Sequence, residues 1–199
     1  MIQSTAVTLS TSKVTLQPLT IAHLADFYQA GNFAEIWRWS LPNPCQSLAA
    51  AKVWLLYSQE QAEKGRQIPF AIFDNNSKQL VGSTRFCSIN QQDRSVEIGF
   101  TFVTPNYQQS YINTHAKYCL LAHAFEVLNV IRVEFKSHEK NEKSRCAIAR
   151  LGAKYEGLLR NQRILVDGSF RNTAIFSIIQ SEWPQVKQAL INKMSQGYQ

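Results

Sequence analysis

Three places in the 199-residue chain hold side chains whose types and spacing suit chemistry. The first is Glu97, within Ser95-Val96-Glu97-Ile98-Gly99-Phe100-Thr101-Phe102-Val103, a run whose pattern predicts a strand. On such a strand Glu97 shares a face with Gly99 and Thr101 while Val96, Ile98 and Phe100 take the other. Its carboxylate can then reach a cleft and accept a proton, directly or through water. A solvent-facing carboxylate in a cross-strand pair is the plainer reading. The second is the loop Gln108-Gln109-Ser110-Tyr111-Ile112-Asn113, which leads into a predicted helix. Main-chain N–H groups and a favourable dipole at a helix start suit a phosphorylated ligand, although many loops of this kind only connect. The third is the pair Asn141 and Ser144, three apart at the start of a later helix and able to face the same end of a sheet. Asn141 also serves there simply as a helix cap.

Other reactive types read more plainly. His123 falls on an apolar stripe with Cys119, Leu120 and Val127 and is expected to be a satisfied core histidine. Cys45, Cys87, Cys119 and Cys146 are widely spaced, with no Cys-x-x-Cys pair and no clustered histidines, so no metal site is expected. Cys119 and Cys146 are read as packing residues; a thiol nucleophile would need an adjacent base that no motif supplies.

The elements that must position these groups can be placed by period and punctuation. Val14, Leu16 and Leu19 open a strand, and Thr20 can cap a helix through Leu24 and Phe27. A second helical stretch from Phe33 to Trp39 stops before Leu41-Pro42-Asn43-Pro44. Ser47 can cap a long helix to about Lys64, closed by Gly65. Pro69 to Phe73 and Leu80 to Phe86 form a hairpin about Asp74-Asn75-Asn76-Ser77, and the strand of Glu97 extends it to a meander. Gly99 marks a bulge or a close backbone approach.

Between Asn113 and Leu128 the apolar residues, with Ile112, recur at helical spacing. Val133 and Phe135 lie on a short strand. A helix from Asn141 buries Ala147, Ile148 and Leu151 and ends at Gly152. Extended segments at 158–166 and 173–179 flank the turn Asp167-Gly168, and a last helix from about Glu182 carries Trp183, Val186, Leu190 and Met194. A mixed α/β fold of one domain, about residues 12–194, is the expectation.

Bulk composition narrows the classes. No basic-then-apolar leader and no apolar stretch of membrane-spanning length is present, so a cytoplasmic protein with reduced thiols is expected. Twenty-one Lys plus Arg against 14 Asp plus Glu gives a formal charge of +7, which favours anionic partners. The basic residues are scattered, without an Arg-rich arm, which disfavours nucleic acid.

The element order, and three stretches in sequence, resemble the ribosomal-protein (serine/alanine) N-terminal acetyltransferase branch of the GNAT superfamily. They are Leu80-Val81-Gly82-Ser83-Thr84-Arg85 with Val96 to Val103; Pro105 to Thr114 leading to Lys117, Leu120, His123, Ala124 and Phe125; and Asn141-Glu142-Lys143-Ser144-Arg145 with Ala147-Ile148, Leu151-Gly152-Ala153, Glu156-Gly157, Arg160 and Asp167-Gly168. The resemblance implies an acyl-CoA N-acyltransferase fold, a mostly antiparallel sheet of six to seven strands flanked by helices. It implies acetyl-CoA as cosubstrate and direct transfer to a primary amine, a protein N-terminus or a small molecule. A homodimer is compatible with it, though no interface signature is visible.

The resemblance further implies Glu97 as base, Ser144 as acid to the leaving thiolate, and a coenzyme site of Phe102, Val103, Gln108, Gln109, Ser110, Tyr111, Ile112, Asn113, Asn141 and Ser144. Tyr111, Lys117 or Arg145 would add contacts to the nucleotide end, and Trp37, Trp39 and Trp54 would border the acceptor. The chain departs from the family's Gln/Arg-x-x-Gly-x-Gly/Ala loop by carrying Tyr111 and Asn113 at the glycine positions. Glycine there permits unusual dihedrals, so a degenerate, non-catalytic acyl-CoA-binding or regulatory protein is the rival reading. Asn113 is the easier change, since Asn tolerates left-handed backbone and caps helices.

Overall fold

A computed structural model describes residues 7–39, 42–165 and 168–196. Its spine is one sheet of eight strands, β1 (Leu9–Ser10), β2 (Val14–Pro18), β3 (Ile68–Asp74), β4 (Leu80–Asn90), β5 (Ser95–Val103), β6 (Arg132–His138), β7 (Lys154–Ile164) and β8 (Phe170–Ile179). They lie in the order β1-β2-β3-β4-β5-β6-β8-β7. All neighbours run antiparallel except β5 and β6. The strand beyond the expected six to seven is β1, a two-residue piece paired with β2. Helices α1 (Leu24–Gly31), α2 (Leu48–Glu63), α3 (Tyr111–Ala122), α4 (Glu142–Arg150) and α5 (Trp183–Ser195) cover the sheet.

Both faces of the sheet are packed, which is why β3 reads as an unbroken apolar run rather than an alternation. Phe70 and Ile72 join a core with Ile112 and Leu120 of α3, Ile148 of α4 and Trp183 of α5. Ala71 faces a second core, with Phe27 of α1 and Leu55 of α2. The caps are those expected. Ser47 Oγ accepts the Ala50 N–H at 3.1 Å, Asn141 Oδ1 accepts the Ser144 N–H at 3.1 Å, and α4 ends on Gly152 at φ +97°. Thr20 instead precedes a 3-10 turn, Ile21–His23, that runs into α1. The second helical stretch shrinks to a 3-10 turn at Ala34–Trp37. Leu41, Val166 and Asp167 lie outside the described residues, and Gly168 has φ +79°.

Two irregularities overturn details of the sequence reading. Gly99 pairs with Arg85 and Phe102 with Ser83, so β5 spends three residues where β4 spends two. This is a bulge, and Phe100 takes the left-handed φ of 51° that it requires. Phe100 therefore crosses to the α1–α2 side, where its ring meets Trp54 at 5.7 Å, while the Thr101 hydroxyl meets Lys117 of α3. The expected grouping of Glu97 with Thr101 against Phe100 is thus reversed.

The second irregularity is in the long helix. It starts at Tyr111 rather than Asn113, because Ser110 Oγ takes the capping role and accepts the Ile112 N–H. After Ala122 it widens into a π-helical turn, His123–Val127. The wider turn shifts the stripe, burying Ala124 and Phe125 and leaving Val127 63% exposed.

Leu120 touches no solvent at the centre of the larger core. Leu120→Ala is expected to cost about 2–5 kcal/mol, measurable as a lowered urea midpoint at unchanged slope.

Candidate active site

β5 and β6 pair in parallel through Ser95↔Arg132, Val96↔Val133 and Glu97↔Glu134, and no further. Both strands continue, to Val103 and His138. The bulge at Gly99 and Phe100 turns β5 away at the point where the ladder ends. A cleft of about 120 Å³ opens there, walled by Phe27, Trp37, Trp54 and Phe100 and reached by Glu97, Lys136, Arg163 and Arg171. That volume suits a small group such as an amine with its neighbouring atoms, rather than a whole nucleotide.

Glu97 is only 8% exposed. Its Oε2 accepts from Ser88 Oγ at 3.0 Å and from Lys136 Nζ at 2.9 Å, whereas no described residue bonds Oε1. One oxygen is anchored and the other is open to a ligand. Gly99 is required beside it, since a Cβ at that position would stand 2.9 Å from Glu97 Oε1. Burial alone would lower the Lys136 ammonium, but Glu97 and Glu134 hold it above its ordinary value. Lys136 is therefore a fixed cation.

Lys117 departs furthest from expectation. It is 5% exposed, and its Nζ donates to Thr101 Oγ1 at 2.6 Å and Thr84 Oγ1 at 3.2 Å. Those two hydroxyls are themselves 2.7 Å apart. Burial pushes the ammonium down to about 7. A side chain committed under the sheet in this way cannot serve a nucleotide at the surface.

The loop before α3 is shaped without its glycines. Neither Tyr111 nor Asn113 takes a positive φ; the left-handed residue is Gln109, at 60°. Tyr111 Oη donates to Asp74 Oδ1 at 2.7 Å and accepts from Asn76 Nδ2 at 2.9 Å, so this side chain turns to the β3–β4 connection. Burial alone would raise the Asp74 carboxyl, yet bonds from Tyr111 and Ser77 hold it below its ordinary value. Gln108 Nε2 donates to the Val103 carbonyl at 3.0 Å. Among the described residues the Gln109 and Ser110 N–H groups have no acceptor, which leaves two donors at the head of α3 for an anion. The side chains of Ile112 and Val103 are buried in the larger core, so these residues can meet a ligand only through their main chain, whereas Phe102, of the second core, also borders the cleft.

Asn141 and Ser144 do not line the cleft of Glu97. They stand where β6 passes into α4, with the Asn141 side-chain oxygen occupied by the Ser144 N–H. Arg145 donates to the Glu139 carbonyl. Trp39 packs against His138 with ring centroids 4.8 Å apart and planes tilted by 47°, while Trp37 and Trp54 are cleft walls. His123 is half-buried with its ring near Phe86, and burial lowers its basicity. Burial pushes the Cys45 and Cys87 thiols up to about 12 and Cys119 up to about 11, so these are inert packing groups. Cys146, expected to pack, is exposed instead, and Ala147 is only half-buried.

Residues 13–154 match the family model described as an acetyltransferase (GNAT) domain. The chain belongs to the GNAT acetyltransferases. This acetyltransferase is 31% identical over 104 residues to YdaF of Bacillus subtilis (strain 168), named as a ribosomal N-acetyltransferase; the match spans 52% of this chain and 56% of YdaF. It is 32% identical to a T. thermophilus protein described as an acetyltransferase, with TM-score 0.85 over 94% of this chain and 96% of the other. Mycobacterium smegmatis RimJ, solved with CoA-disulfide, shares the fold at 22% identity and TM-score 0.83, over 97% of each chain. No described helix of the acetyltransferase is long and apolar enough to cross a membrane.

The sequence reading missed Lys136, Arg163 and Arg171. Lys136 was within reach, because Val133 and Phe135 point to the core and put Lys136 on the opposite face, that of Glu97. The arginines depend on the register of the last hairpin, which residue types alone do not fix.

Lys117 generates a pH test. Below about pH 7 folded and unfolded chains both carry the ammonium, and its burial cost is fully present. Between about 7 and 10.5 the unfolded chain binds a proton that the folded chain has released, so stability climbs with pH, by on the order of a few kcal/mol. Lys117→Met should abolish that climb, so its stability advantage in urea unfolding at pH 6.5 should shrink towards pH 10.

Proposed function

We propose that this acetyltransferase moves acetyl from acetyl-CoA to a primary amine, foremost a protein N-terminal α-amine, by direct attack with both substrates bound. The observation that carries the reading is the Glu97 carboxylate, anchored through Oε2 by Lys136 and Ser88 and open through Oε1 into an aromatic cleft. The amine must lose a proton as its nitrogen bonds to the thioester carbon, and Oε1 takes that proton, directly or through water. The carbon–sulfur bond then breaks, and the Ser144 hydroxyl, which has no hydrogen-bond partner among the described residues, gives a proton to the departing sulfur and regains one from water, while Glu97 releases the amine proton to solvent. The N–H groups of Gln109 and Ser110 bind the pyrophosphate of the donor, and Trp37, Trp54 and Phe100 keep water from the amine. The complex of RimJ with CoA-disulfide supports the choice of donor, and the name of YdaF supports a protein acceptor.

The rival reading of a degenerate binding protein rests on the lost glycines. With Tyr111 and Asn113 both outside the left-handed region, the substitutions need not distort the loop.

Calorimetric titration with acetyl-CoA, and with desulfo-CoA for comparison, is expected to show micromolar binding. No heat at millimolar ligand would remove acetyl-CoA from the reading. Glu97→Gln should lower turnover about a hundredfold with little change in donor affinity. Turnover that is unchanged across pH would take the base role from Glu97.

A further inference from the structure

We infer that the acceptor carries a carboxylate close to its reacting amine and that Arg163 and Arg171 hold it, an inference that rests on the cleft of Glu97 being the acceptor site. The cleft is reached by one carboxylate and three cations. Lys136 is engaged by Glu97 and Glu134, and among the described residues neither Arg163 nor Arg171 forms an ion pair. Among the described residues the cleft is thus left with two guanidiniums in excess.

Their placement is also specific. Arg163 and Arg171 are direct cross-strand partners on β7 and β8, an arrangement that opposes like charges and destabilises an empty hairpin. Arg171 is aimed by a short relay in which its Nε donates to Thr173 Oγ1 at 3.1 Å and Thr173 Oγ1 donates to Gln162 Oε1 at 3.0 Å. Thr173 is fully buried, so the relay fixes the guanidinium and leaves both terminal nitrogens without a hydrogen-bond partner among the described residues. Burial and the neighbouring Arg163 disfavour the Arg171 charge by more than Glu97 favours it, a cost that a bound anion would offset. Two planar forks around one space match the two oxygens of a carboxylate. An acidic second residue of a protein N-terminus supplies such a group, as does the carboxylate of a free amino acid.

The test compares acetylation by the full chain, followed as coenzyme A thiol release, on peptide amides beginning Ser-Asp or Ser-Asn and on serine or serinamide. The wild type should prefer the acidic member of a pair by on the order of tenfold in kcat/KM, and the preferred pair identifies the source of the carboxylate. Arg171→Gln should reduce the preference to within about twofold, mainly through a raised KM for the acidic acceptor. The exposed Arg163→Gln gives the same readout should the half-buried Arg171 prove necessary for folding. Equal use of acidic and neutral acceptors by the wild type, or a preference that survives both substitutions, overturns the inference while leaving the transferase reading intact.

A second arm needs no turnover. Tryptophan emission is titrated with the N-acetylated Ser-Asp and Ser-Asn peptides and with N-acetylserine and its amide. Arginine-dependent binding of an acidic ligand, with no acceptor turned over, would sustain the clamp and sink the transferase reading. Absence of any such binding together with absence of turnover would sink both.

Discussion

Three residue pairs of parallel ladder decide what this protein can hold. β5 and β6 are bound together only from Ser95 to Glu97, and beyond them each strand must find other partners. β5 turns on its bulge towards α2, and β6 is carried by β8 along its whole length, Arg132 to His138. Where the ladder stops, the Glu97 and Lys136 side chains meet at the edge of the cleft. The single extra residue at Gly99 and Phe100 is therefore the constraint on which the cleft depends. It brings Phe100 to the aromatic wall, sends Thr101 to Lys117 and leaves room for the Glu97 carboxylate beside a residue without a Cβ.

Much of this architecture was legible because local signals agreed with the tertiary result. Ser47, Asn141, Gly65 and Gly152 mark helix ends by side-chain bonds and backbone freedom that operate in any context. The hairpin around Asp74 to Ser77 follows from two extended apolar runs and the turn residues between them. The lapses share another cause, namely shifts of one residue that leave composition untouched. The β5 bulge carries no mark but Gly99, and it reverses the faces of every residue after it. The π-helical turn after Ala122 likewise rotates Val127 to solvent although its spacing suits a stripe. Lys117 looked like a surface cation because nothing in a helical sequence announces two threonine hydroxyls waiting across the sheet.

Of the candidate site, Glu97 was legible in the sequence and its surroundings were not. Glu97 stands out as a carboxylate in an apolar strand, and the tryptophans as early aromatic weight. The positive side of the cleft is assembled from β6, β7 and β8, three strands distant in sequence, and only pairing brings Lys136, Arg163 and Arg171 to one place. Such non-local electrostatics require a register before they can be read.

The tether at the head of α3 has a thermodynamic consequence. Tyr111 is tied to Asp74 and Asn76, and Tyr107 Oη donates to Ser77 Oγ at 3.1 Å. Two tyrosines thus rivet the loop to the β3–β4 connection without any ligand. A glycine-rich loop gives up backbone freedom when it closes on an anion; this one has surrendered that entropy on folding. Any anion that this loop accepts meets a backbone already ordered, so its affinity would be governed by fit and scarcely by ordering.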